Sequence, residues 1–313
     1  MKILYPLLVI VGPTAVGKTD FSLTLALEIN GEIISADSMQ IYKKMNIGTA
    51  KPSPEELAMV PHHLVDCIPP DQEFTVADFK QRVEIIIPQI YYKGAIPMLV
   101  GGTGLYIQAV IEGFIFPEME IDWDFREKMH QLAKKRGNEI VHAMLKEVDP
   151  ELAEKLHPND LRRIIRGLEI FRQTGRTATY WHKRAKEQPK RYDTIKIGLI
   201  REREELYQRI NERVDLMIEA GLVEEVKGLL DEGYSPDLVS MQGLGYKEII
   251  GYLKGEYDLE EAIYRLKRNT RHFAKRQLTW FKRDKEIIWM NPGEMSTQEM
   301  VEKVKRMIDY KWK

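Results

Sequence analysis

The sequence of 313 residues has a single cysteine, Cys67, and its longest apolar runs are short. One cysteine excludes a disulfide within the chain, which is typical of proteins in a reducing compartment, so we expect a cytoplasmic protein. A membrane-spanning helix needs about 20 consecutive apolar residues, and the sequence has no such stretch. No membrane partner is therefore expected.

The chain also lacks net charge, because 47 Lys and Arg nearly balance 48 Asp and Glu to give −1. This balance hides a local surplus. Residues 126–191 contain 17 basic and 9 acidic residues, a local net charge of +8 against −9 in the rest of the chain. Such an asymmetry indicates a segment that binds a polyanion.

Short apolar runs alternate with helical patterns up to about Phe116. We predict strands at residues 7–11, 32–35 and 97–100, and a helix at residues 19–29. Strands that alternate with helices indicate an α/β fold, with a parallel sheet and helices on both faces. Such a sheet binds ligands beyond the carboxyl ends of its strands.

The pattern changes after about Trp123, where strand signals vanish and helical ones dominate, as in residues 124–135 and 160–173. The basic surplus lies in this segment. Apolar runs at residues 195–200 and 286–290 then predict two further strands of the sheet. We therefore predict a core in two parts, residues 1–122 and 193–313, that is interrupted by a basic all-helical insertion, residues 123–192.

A glycine-rich motif, GPTAVGKT, follows the first predicted strand and opens the first predicted helix. It matches G-x-x-x-x-G-K-[ST] at every fixed position, which is the pattern of a P-loop. Its glycines let backbone N–H groups point at a phosphate, and the helix N-terminus adds its positive end. We predict phosphate contacts by the whole motif: Gly12, Pro13, Thr14, Ala15, Val16, Gly17, Lys18 and Thr19.

Within this motif, Lys18 brings a full positive charge to the phosphates, and the Thr19 hydroxyl is placed to ligate Mg²⁺, the expected cofactor. The alternative is a glycine-rich turn that matches by chance. The motif does not identify the phosphate compound: the guanine-reading N-K-x-D of GTPases is absent, and ATP binding is compatible with it. A small-molecule or nucleoside kinase and an RNA-binding NTPase switch are alternative functions.

Polar residues follow the second predicted strand in the segment ADSMQ. In a doubly wound sheet, the end of this strand lies near the phosphate loop. Asp37 could act there as a general base or support a Mg²⁺ ion, and Gln40 could read a base edge with its donor and acceptor. On spacing alone, Asp37 could equally cap the following helix.

A second glycine turn, VGGTGLY, follows the strand predicted at residues 97–100. Its glycines permit the backbone to approach a ligand closely, and Thr103 offers a hydroxyl at the same sheet edge. Farther along, Arg209 and Arg213 lie one helical turn apart. They could clamp a diphosphate or form a surface ion-pair network with neighbouring glutamates.

Two basic segments contain aromatic residues. In the insertion, Arg162, Arg163 and Arg166 fall mostly on one face of a predicted helix, and the run YWHKR follows at Tyr180. Residues 265–285 contain nine Lys and Arg but one acidic residue, and this segment could line the same channel. Arginine with interleaved aromatics suits RNA backbone contact and base stacking, whereas a solvated helix face is the ordinary alternative.

The chain resembles the tRNA dimethylallyltransferases, also called tRNA isopentenyltransferases, of the bacterial type. The segments that carry the resemblance occur in the family's order over almost the whole chain: GPTAVGKT, GEIISADSMQIYKKMNIGTAKP, HHLVDCIPPDQEFTVADF, VGGTGLY, DLRRIIRGLEI, MQGLGYKEI and RHFAKRQLTWFKRD. The combination of SADSMQIY with GGTGLY is specific among P-loop families. The insertion is the part in which family members differ most.

This resemblance implies an enzyme that transfers a dimethylallyl group from dimethylallyl diphosphate to N6 of the adenosine 3′-adjacent to the anticodon in tRNA. The loop would hold the diphosphate with Mg²⁺, and Lys18 would stabilise the leaving group. Asp37 would be the general base that takes the N6 proton. Thr103 and Arg126 would contact the region of the flipped-out adenosine, and the basic insertion would grip the anticodon stem-loop.

The predicted site therefore has catalytic, diphosphate and tRNA residues. Asp37, Thr103 and Lys18 are the catalytic set, and Arg213 joins the P-loop at the diphosphate. The residues predicted to contact tRNA are Asp37, Ser38, Met39, Gln40, Thr103, Arg126, Arg162, Arg163 and Arg166. We expect tRNA and dimethylallyl diphosphate as partners and a monomer, since no apolar interface stripe is evident in the sequence.

Overall fold

A computed structural model of the chain describes residues 4–312. The chain forms two compact units, and the second, Glu112–Lys190, interrupts the first. The sequence placed this interruption at residues 123–192. The bounds differ because helix Gly104–Ile111 ends the first part of the core and strand Tyr192–Leu199 resumes it, which leaves the irregular residues 112–122 to the second unit. Residues 1–3 and 313 of the predicted core lie outside the described residues.

The first unit is built on a parallel sheet. In the described residues this sheet has six strands in the order β3-β2-β4-β1-β5-β6, and every pairing is parallel. In chain order the strands are β1 Tyr5–Val11, β2 Gly31–Ser35, β3 His62–His63, β4 Ile96–Gly101, β5 Tyr192–Leu199 and β6 Ile288–Met290. The prediction of an α/β fold with a parallel sheet is confirmed.

The helices are numbered α1 to α14 along the chain. Those of the first unit are α1 Lys18–Ile29, α2 Pro54–Met59, α3 Val76–Tyr92, α4 Gly104–Ile111, α10 Arg203–Glu219, α11 Leu222–Asp231, α12 Tyr246–Leu253, α13 Leu259–Phe281 and α14 Thr297–Trp312. Those of the second unit are α5 Trp123–Arg136, α6 Asn138–Val148, α7 Pro150–Lys155, α8 Leu161–Thr174 and α9 Ala178–Glu187. In the part of the chain that the structure describes, none of these helices could cross a bilayer.

The central strand β1 shows how the sheet is covered. Leu7 and Val9 pack into one buried cluster, whereas Leu8 and Ile10 pack into another. Because successive side chains of a strand point to opposite faces, the two clusters lie on the two faces of the sheet. Residues of α3 and α4 belong to the first cluster and residues of α1 and α14 to the second. Both faces of the sheet are therefore buried beneath helices.

The second unit has a hydrophobic core of its own. Val141, Leu145 and Ile164 are fully buried in it and pack with apolar residues of α5, α7 and α8. The basic residues of these helices lie outside this core. The segments predicted as helices, residues 124–135 and 160–173, correspond to α5 and α8.

Candidate functional site

A glycine-rich loop, residues 12–17, connects β1 to α1. Gly12 and Gly17 have φ values of 151° and 106°, which disfavour any residue with a side chain. A Cβ on Gly12 would also lie 2.8 Å from the carbonyl oxygen of Leu199 in β5. No side chain caps the N-terminus of α1, so its first N–H groups remain available for an anion at the loop.

Lys18 lies across the loop that precedes it. Its Nζ donates hydrogen bonds to the carbonyl oxygens of Gly12 at 3.0 Å and Pro13 at 2.7 Å. These bonds orient the carbonyl oxygens of Gly12 and Pro13 toward the ammonium group of Lys18. The cation is thereby fixed at the loop, where a phosphate oxygen could replace a carbonyl as its partner.

Two arginines that lie outside the loop donate hydrogen bonds to the carbonyl oxygens of the next loop residues. Arg201, just after β5, donates from Nε to the carbonyl of Val16 at 3.0 Å. Arg209 of α10 donates from Nε to the carbonyl of Ala15 at 3.0 Å. Because these carbonyls are tied to cations, the loop does not present them to an anion.

Burial lowers the pKa values of two cations at this site, Lys18 and Arg213. Burial lowers the pKa of Lys18 to about 7; the positive charge of Arg213 also lowers it, whereas Asp37 raises it. The pKa of Arg213 is lowered as well, first by burial, against an opposing effect of Asp37. In the described residues, neither cation forms an ion pair. A partly buried cation that no carboxylate neutralises is costly, so this pair favours a bound anion.

These groups line one cavity of about 470 Å³ at the carboxyl ends of the strands. The loop contributes Thr14, Lys18 and the adjoining Thr19 to its wall, and α10 contributes Arg213. Asp37, from the turn after β2, lines the same cavity. The structure therefore brings the predicted phosphate-binding cation and the predicted base to a single space.

Asp37 forms a local turn. Its Oδ1 accepts a hydrogen bond from the backbone N–H of Met39 at 2.9 Å. The next helix, α2, begins only at Pro54 and is capped by Ser53, so the helix-cap interpretation of Asp37 is wrong. The turn fixes the carboxylate in the cavity wall instead.

Thr103 ties the turn after β4 to the turn after β2. Its backbone N–H donates to the carbonyl of Ala36 at 3.1 Å, and its Oγ1 accepts from the backbone N–H of Ser38 at 3.1 Å. A Cβ on Gly101 would lie 2.2 Å from the Ala36 carbonyl oxygen, which explains the first glycine of the turn. Thr103 thus positions the residues on both sides of Asp37, and it lies beside the cavity rather than in its wall.

Gln40 and Met39 are held by the protein itself. The Gln40 Oε1 accepts from the Ser35 hydroxyl at 2.9 Å, and its Nε2 donates to the carbonyl of Ala50 at 3.1 Å. Gln40 also lines the cavity, but reading a base edge would require it to exchange one of these bonds. Met39 packs against the hydrophobic core. Their contact with tRNA stays a prediction.

The predicted tRNA-binding arginines belong to the second unit and fall into two kinds. Arg126 donates from Nε and from one terminal nitrogen to Glu169 at 3.0 and 2.8 Å, and Arg166 donates to the same carboxylate at 2.6 Å. Glu169 is completely buried; burial opposes its ionisation, but the bonds from the two arginines outweigh this and lower its pKa. Arg162 and Arg163 are exposed.

Three residues of the first unit shape the site although no local sequence pattern led to their prediction. Arg201 holds the glycine-rich loop, as described above, and its position directly after a strand was an available signal. Glu225 of α11 accepts hydrogen bonds from the backbone N–H groups of residues 46–48 at 2.8, 2.8 and 3.1 Å, and thereby shapes the segment that leads into the cavity wall. Gln277 of α13 bonds both glycine turns.

The cavity also offers oxygen ligands for a cation. Among residues 4–312, no group of three or more His, Cys, Asp and Glu is placed to hold a metal ion. The Thr19 hydroxyl and the carboxylates of Asp20 and Asp37 nevertheless line the cavity together. Mg²⁺ is commonly bound by few protein oxygens plus substrate phosphates, so this set fits Mg²⁺ that arrives with a phosphate ligand.

Two family models match the chain. One, described as IPP transferase, matches residues 40–284, and the other, described as isopentenyl transferase, matches residues 5–66. The tRNA dimethylallyltransferase of Halothermothrix orenii is 58% identical over 98% of this chain and 94% of its own length. That of Carboxydothermus hydrogenoformans is 51% identical over 95% of this chain and 96% of its own.

Solved structures agree with these relatives. The tRNA isopentenylpyrophosphate transferase of Bacillus halodurans has a TM-score of 0.73 at 44% identity and covers 97% of this chain and 96% of its own. A eukaryotic dimethylallyltransferase acting on tRNA has a TM-score of 0.82 at 30% identity, with 98% of this chain and 80% of the other covered.

Proposed function

This chain belongs to the IPP transferase family, and from that premise we propose that it transfers a dimethylallyl group from dimethylallyl diphosphate to tRNA. The acceptor is N6 of the adenosine 3′-adjacent to the anticodon, and the product is N6-isopentenyladenosine. The observation that carries this proposal is the cavity whose wall includes both Lys18 and Asp37. The same cavity thus contains a cation that can stabilise the leaving group and a carboxylate that can accept a proton.

The glycine-rich loop acts as a P-loop that binds the diphosphate. Its N–H groups other than that of Thr14, which donates to Gln277, form the anion site with Lys18 and Arg213. The bonds that hold the loop carbonyls to Lys18, Arg201 and Arg209 support this assignment. These donors stabilise the charge that develops on the departing diphosphate. Mg²⁺ at Thr19, when bound, adds further positive charge to the diphosphate oxygens.

The exocyclic amine of adenine is a poor nucleophile, because its lone pair is delocalised into the ring. Stabilising the leaving group is therefore the main route to a faster reaction. The bond between the allylic carbon and the diphosphate oxygen breaks and its electron pair leaves with the diphosphate. The N6 lone pair forms the new carbon–nitrogen bond, and the N6 proton passes to the Asp37 carboxylate.

The target base must leave its stack before N6 can reach the allylic carbon. We assign Thr103 and the segment from Ser38 to Gln40 to the acceptor side of the reaction, because Thr103 fixes the turn that contains Asp37. The arginines of the second unit bind the anticodon stem-loop. Arg162 and Arg163 are exposed and contact its phosphates, for which Arg163 exchanges its pair with Asp160 at 3.4 Å.

Three further features belong to this proposal. The enzyme is cytoplasmic, acts as a monomer and needs no membrane partner. The loop holds the allylic diphosphate rather than powering the hydrolysis of ATP. The names of the relatives give no support to the kinase alternative.

The proposal is tested with labelled dimethylallyl diphosphate and unmodified tRNA, and in parallel with labelled ATP. We expect label from dimethylallyl diphosphate to appear on tRNA. A matched tRNA that has guanosine in place of the target adenosine should receive none. Phosphate transfer from ATP to a small molecule, or ATP hydrolysis with no label on tRNA, would contradict the proposed reaction.

A further inference from the structure

Gln277 has a buried side-chain amide that bonds to two turns of the first unit. The first turn is the glycine-rich loop, residues 12–17, and the second is the glycine turn after β4, residues 101–104. Gln277 lies on α13 and is 6% exposed. Its Oε1 accepts a hydrogen bond from the backbone N–H of Thr14 at 2.9 Å, and its Nε2 donates to the carbonyl of Gly102 at 3.0 Å. One side chain therefore satisfies a donor of the first turn and an acceptor of the second.

The two bonds require an amide. A backbone N–H needs an acceptor and a carbonyl needs a donor. Glutamine supplies both, whereas a glutamate of the same length supplies both only when its carboxyl group is protonated. The second turn is also shaped for it, because a Cβ on Gly102 would lie 2.1 Å from the Gln277 Nε2. A glycine at position 102 therefore permits the close approach of this amide.

The bonds continue from Gln277 toward the proposed base. Gly102 precedes Thr103, which accepts from the backbone N–H of Ser38, the neighbour of Asp37. At its other end, Gln277 holds Thr14 in the loop that we propose binds the diphosphate. Two hydrogen bonds of Gln277, the backbone from Gly102 to Thr103 and the bond from Ser38 to Thr103 thus join the proposed diphosphate loop to the turn that contains Asp37.

On the basis of the proposed function, we propose that Gln277 is a positioning residue that fixes the separation of the diphosphate loop and the Asp37 turn. Gln277 also lines the cavity, but its amide oxygen and nitrogen are both bonded to the two turns, so its role needs no contact with the reacting atoms. Each turn keeps its own ligand-binding groups without it, so substrate affinity should change little. The reaction should slow instead, because a misplacement of about 1 Å between reacting groups can cost about 100-fold in rate.

The first experiment measures single-turnover transfer at saturating dimethylallyl diphosphate and tRNA in Gln277→Leu. We expect the rate to fall by about 10- to 100-fold, while the Kd for tRNA and the Kd for pyrophosphate stay within about threefold of wild type. Leu266→Ala is the matched control, since Leu266 is buried on the same helix and packs in the hydrophobic core. It should lower the Tm but leave the rate of the folded enzyme unchanged.

The conservative variant Gln277→Glu gives a signature that a packing role would not produce. A carboxyl group can both accept and donate only when it is protonated. The rate of this variant relative to wild type should therefore recover as the pH is lowered, whereas the relative rate of Gln277→Leu should not. A ratio independent of pH for Gln277→Glu would count against the inference.

A second measurement does not depend on transfer. Pyrophosphate bound at the loop should slow amide hydrogen exchange in residues 101–106 of the wild-type protein and should not do so in Gln277→Leu. Equal protection in both proteins, or a transfer rate for Gln277→Leu equal to that of Leu266→Ala, would overturn the positioning role. Absence of transfer by the wild type would instead contradict the proposed function, and the exchange measurement would still decide the role of Gln277.

Discussion

The cations of the two units differ in what balances their charge. In the first unit, Lys18 and Arg213 line the cavity without an ion pair among the described residues, and burial lowers the pKa of each. In the second unit, Arg126 and Arg166 share the buried carboxylate of Glu169. The first pair therefore favours a bound anion, whereas the second pair is neutralised within its own unit.

This difference shows that a basic residue in a sequence does not by itself indicate a binding site. The local surplus of charge lies in the second unit, yet two of its predicted RNA contacts, Arg126 and Arg166, are engaged inside that unit. The structure leaves Arg162 and Arg163 as its exposed candidates on α8. Variants of both groups of cations therefore test whether the two units use their positive charges differently.

Among the variants that test this comparison of cations, the largest effect is expected for Lys18→Met. This variant keeps most of the side chain but removes the charge that stabilises the leaving group, and the loss of one such donor typically costs about 10²- to 10³-fold in rate. Single-turnover transfer at saturating substrates measures the loss. Lys305→Met is the control, because Lys305 lies on α14 and pairs with Glu28 at 2.9 Å. A rate within threefold of wild type for Lys18→Met would show that its charge is not used.

Glu169→Gln should destabilise the second unit by about 1–3 kcal/mol, because Arg126 and Arg166 lose their shared carboxylate while the shape is kept. Both arginines are partly exposed, so water will compensate some of the loss. Native-state hydrogen exchange of α5 and α8 amides measures this change. Glu151→Gln is the control, since Glu151 is an exposed partner of Lys155 and Lys183, and its effect should be much smaller. Equal losses of stability in Glu169→Gln and Glu151→Gln would show that the buried carboxylate contributes no more than the surface one.

The affinity for pyrophosphate should fall as the pH rises above about 7. Free Lys18 has a pKa of about 7 and loses its proton above that pH, while a bound diphosphate favours the charged form. Binding then takes up a proton, so the contribution of Lys18 should weaken by up to about tenfold per pH unit until the pKa of the bound state is reached. Calorimetry on wild type and Lys18→Met from pH 7 to 9 tests this. An affinity ratio of the two proteins that does not change with pH would contradict it.

The smallest effect is expected for the double variant Arg162→Ala and Arg163→Ala. Two lost phosphate contacts should lower the slope of log affinity against log salt by about 1 to 2 and weaken tRNA binding at every salt concentration. Filter binding over a range of salt concentrations measures the slope. Lys155→Ala is the control, because Lys155 pairs with Glu151 at 2.9 Å, a closer pair than that of Arg163 with Asp160 at 3.4 Å. An unchanged slope in the double variant would place the RNA-binding surface elsewhere.

The sequence predicted the parts of the fold that depend on local signals. The buried strands contain short apolar runs, so the strands predicted at residues 7–11, 32–35 and 97–100 fall within β1, β2 and β4. Strand β3 has only two residues and exists through its pairing with Ile33 and Ile34, which no local pattern indicates. Helix α3 was missed, although the capping box of Thr75 and Asp78 marks its start, and Pro88 lies inside it.

The candidate site was predictable where a motif is compact. The glycine-rich loop, Lys18 and Asp37 lie within 26 residues of each other in the sequence, and the sheet places them around one cavity. Gln277 could not be found in this way, because its partner Thr14 is 263 positions away. The pairing of Arg126 with Glu169 was hidden for the same reason, since the two lie 43 positions apart on different helices.

The most direct test of the account is the Asp37→Asn variant. Asparagine keeps the oxygen that accepts from Met39, so the turn is preserved and only the basic carboxylate is lost. We predict that single-turnover transfer falls by about 10²- to 10⁴-fold, the usual contribution of a general base, while the Kd for tRNA stays within about threefold of wild type. An unchanged rate, or a loss of tRNA affinity as large as the loss of rate, would contradict the claim that Asp37 takes the proton in this cavity.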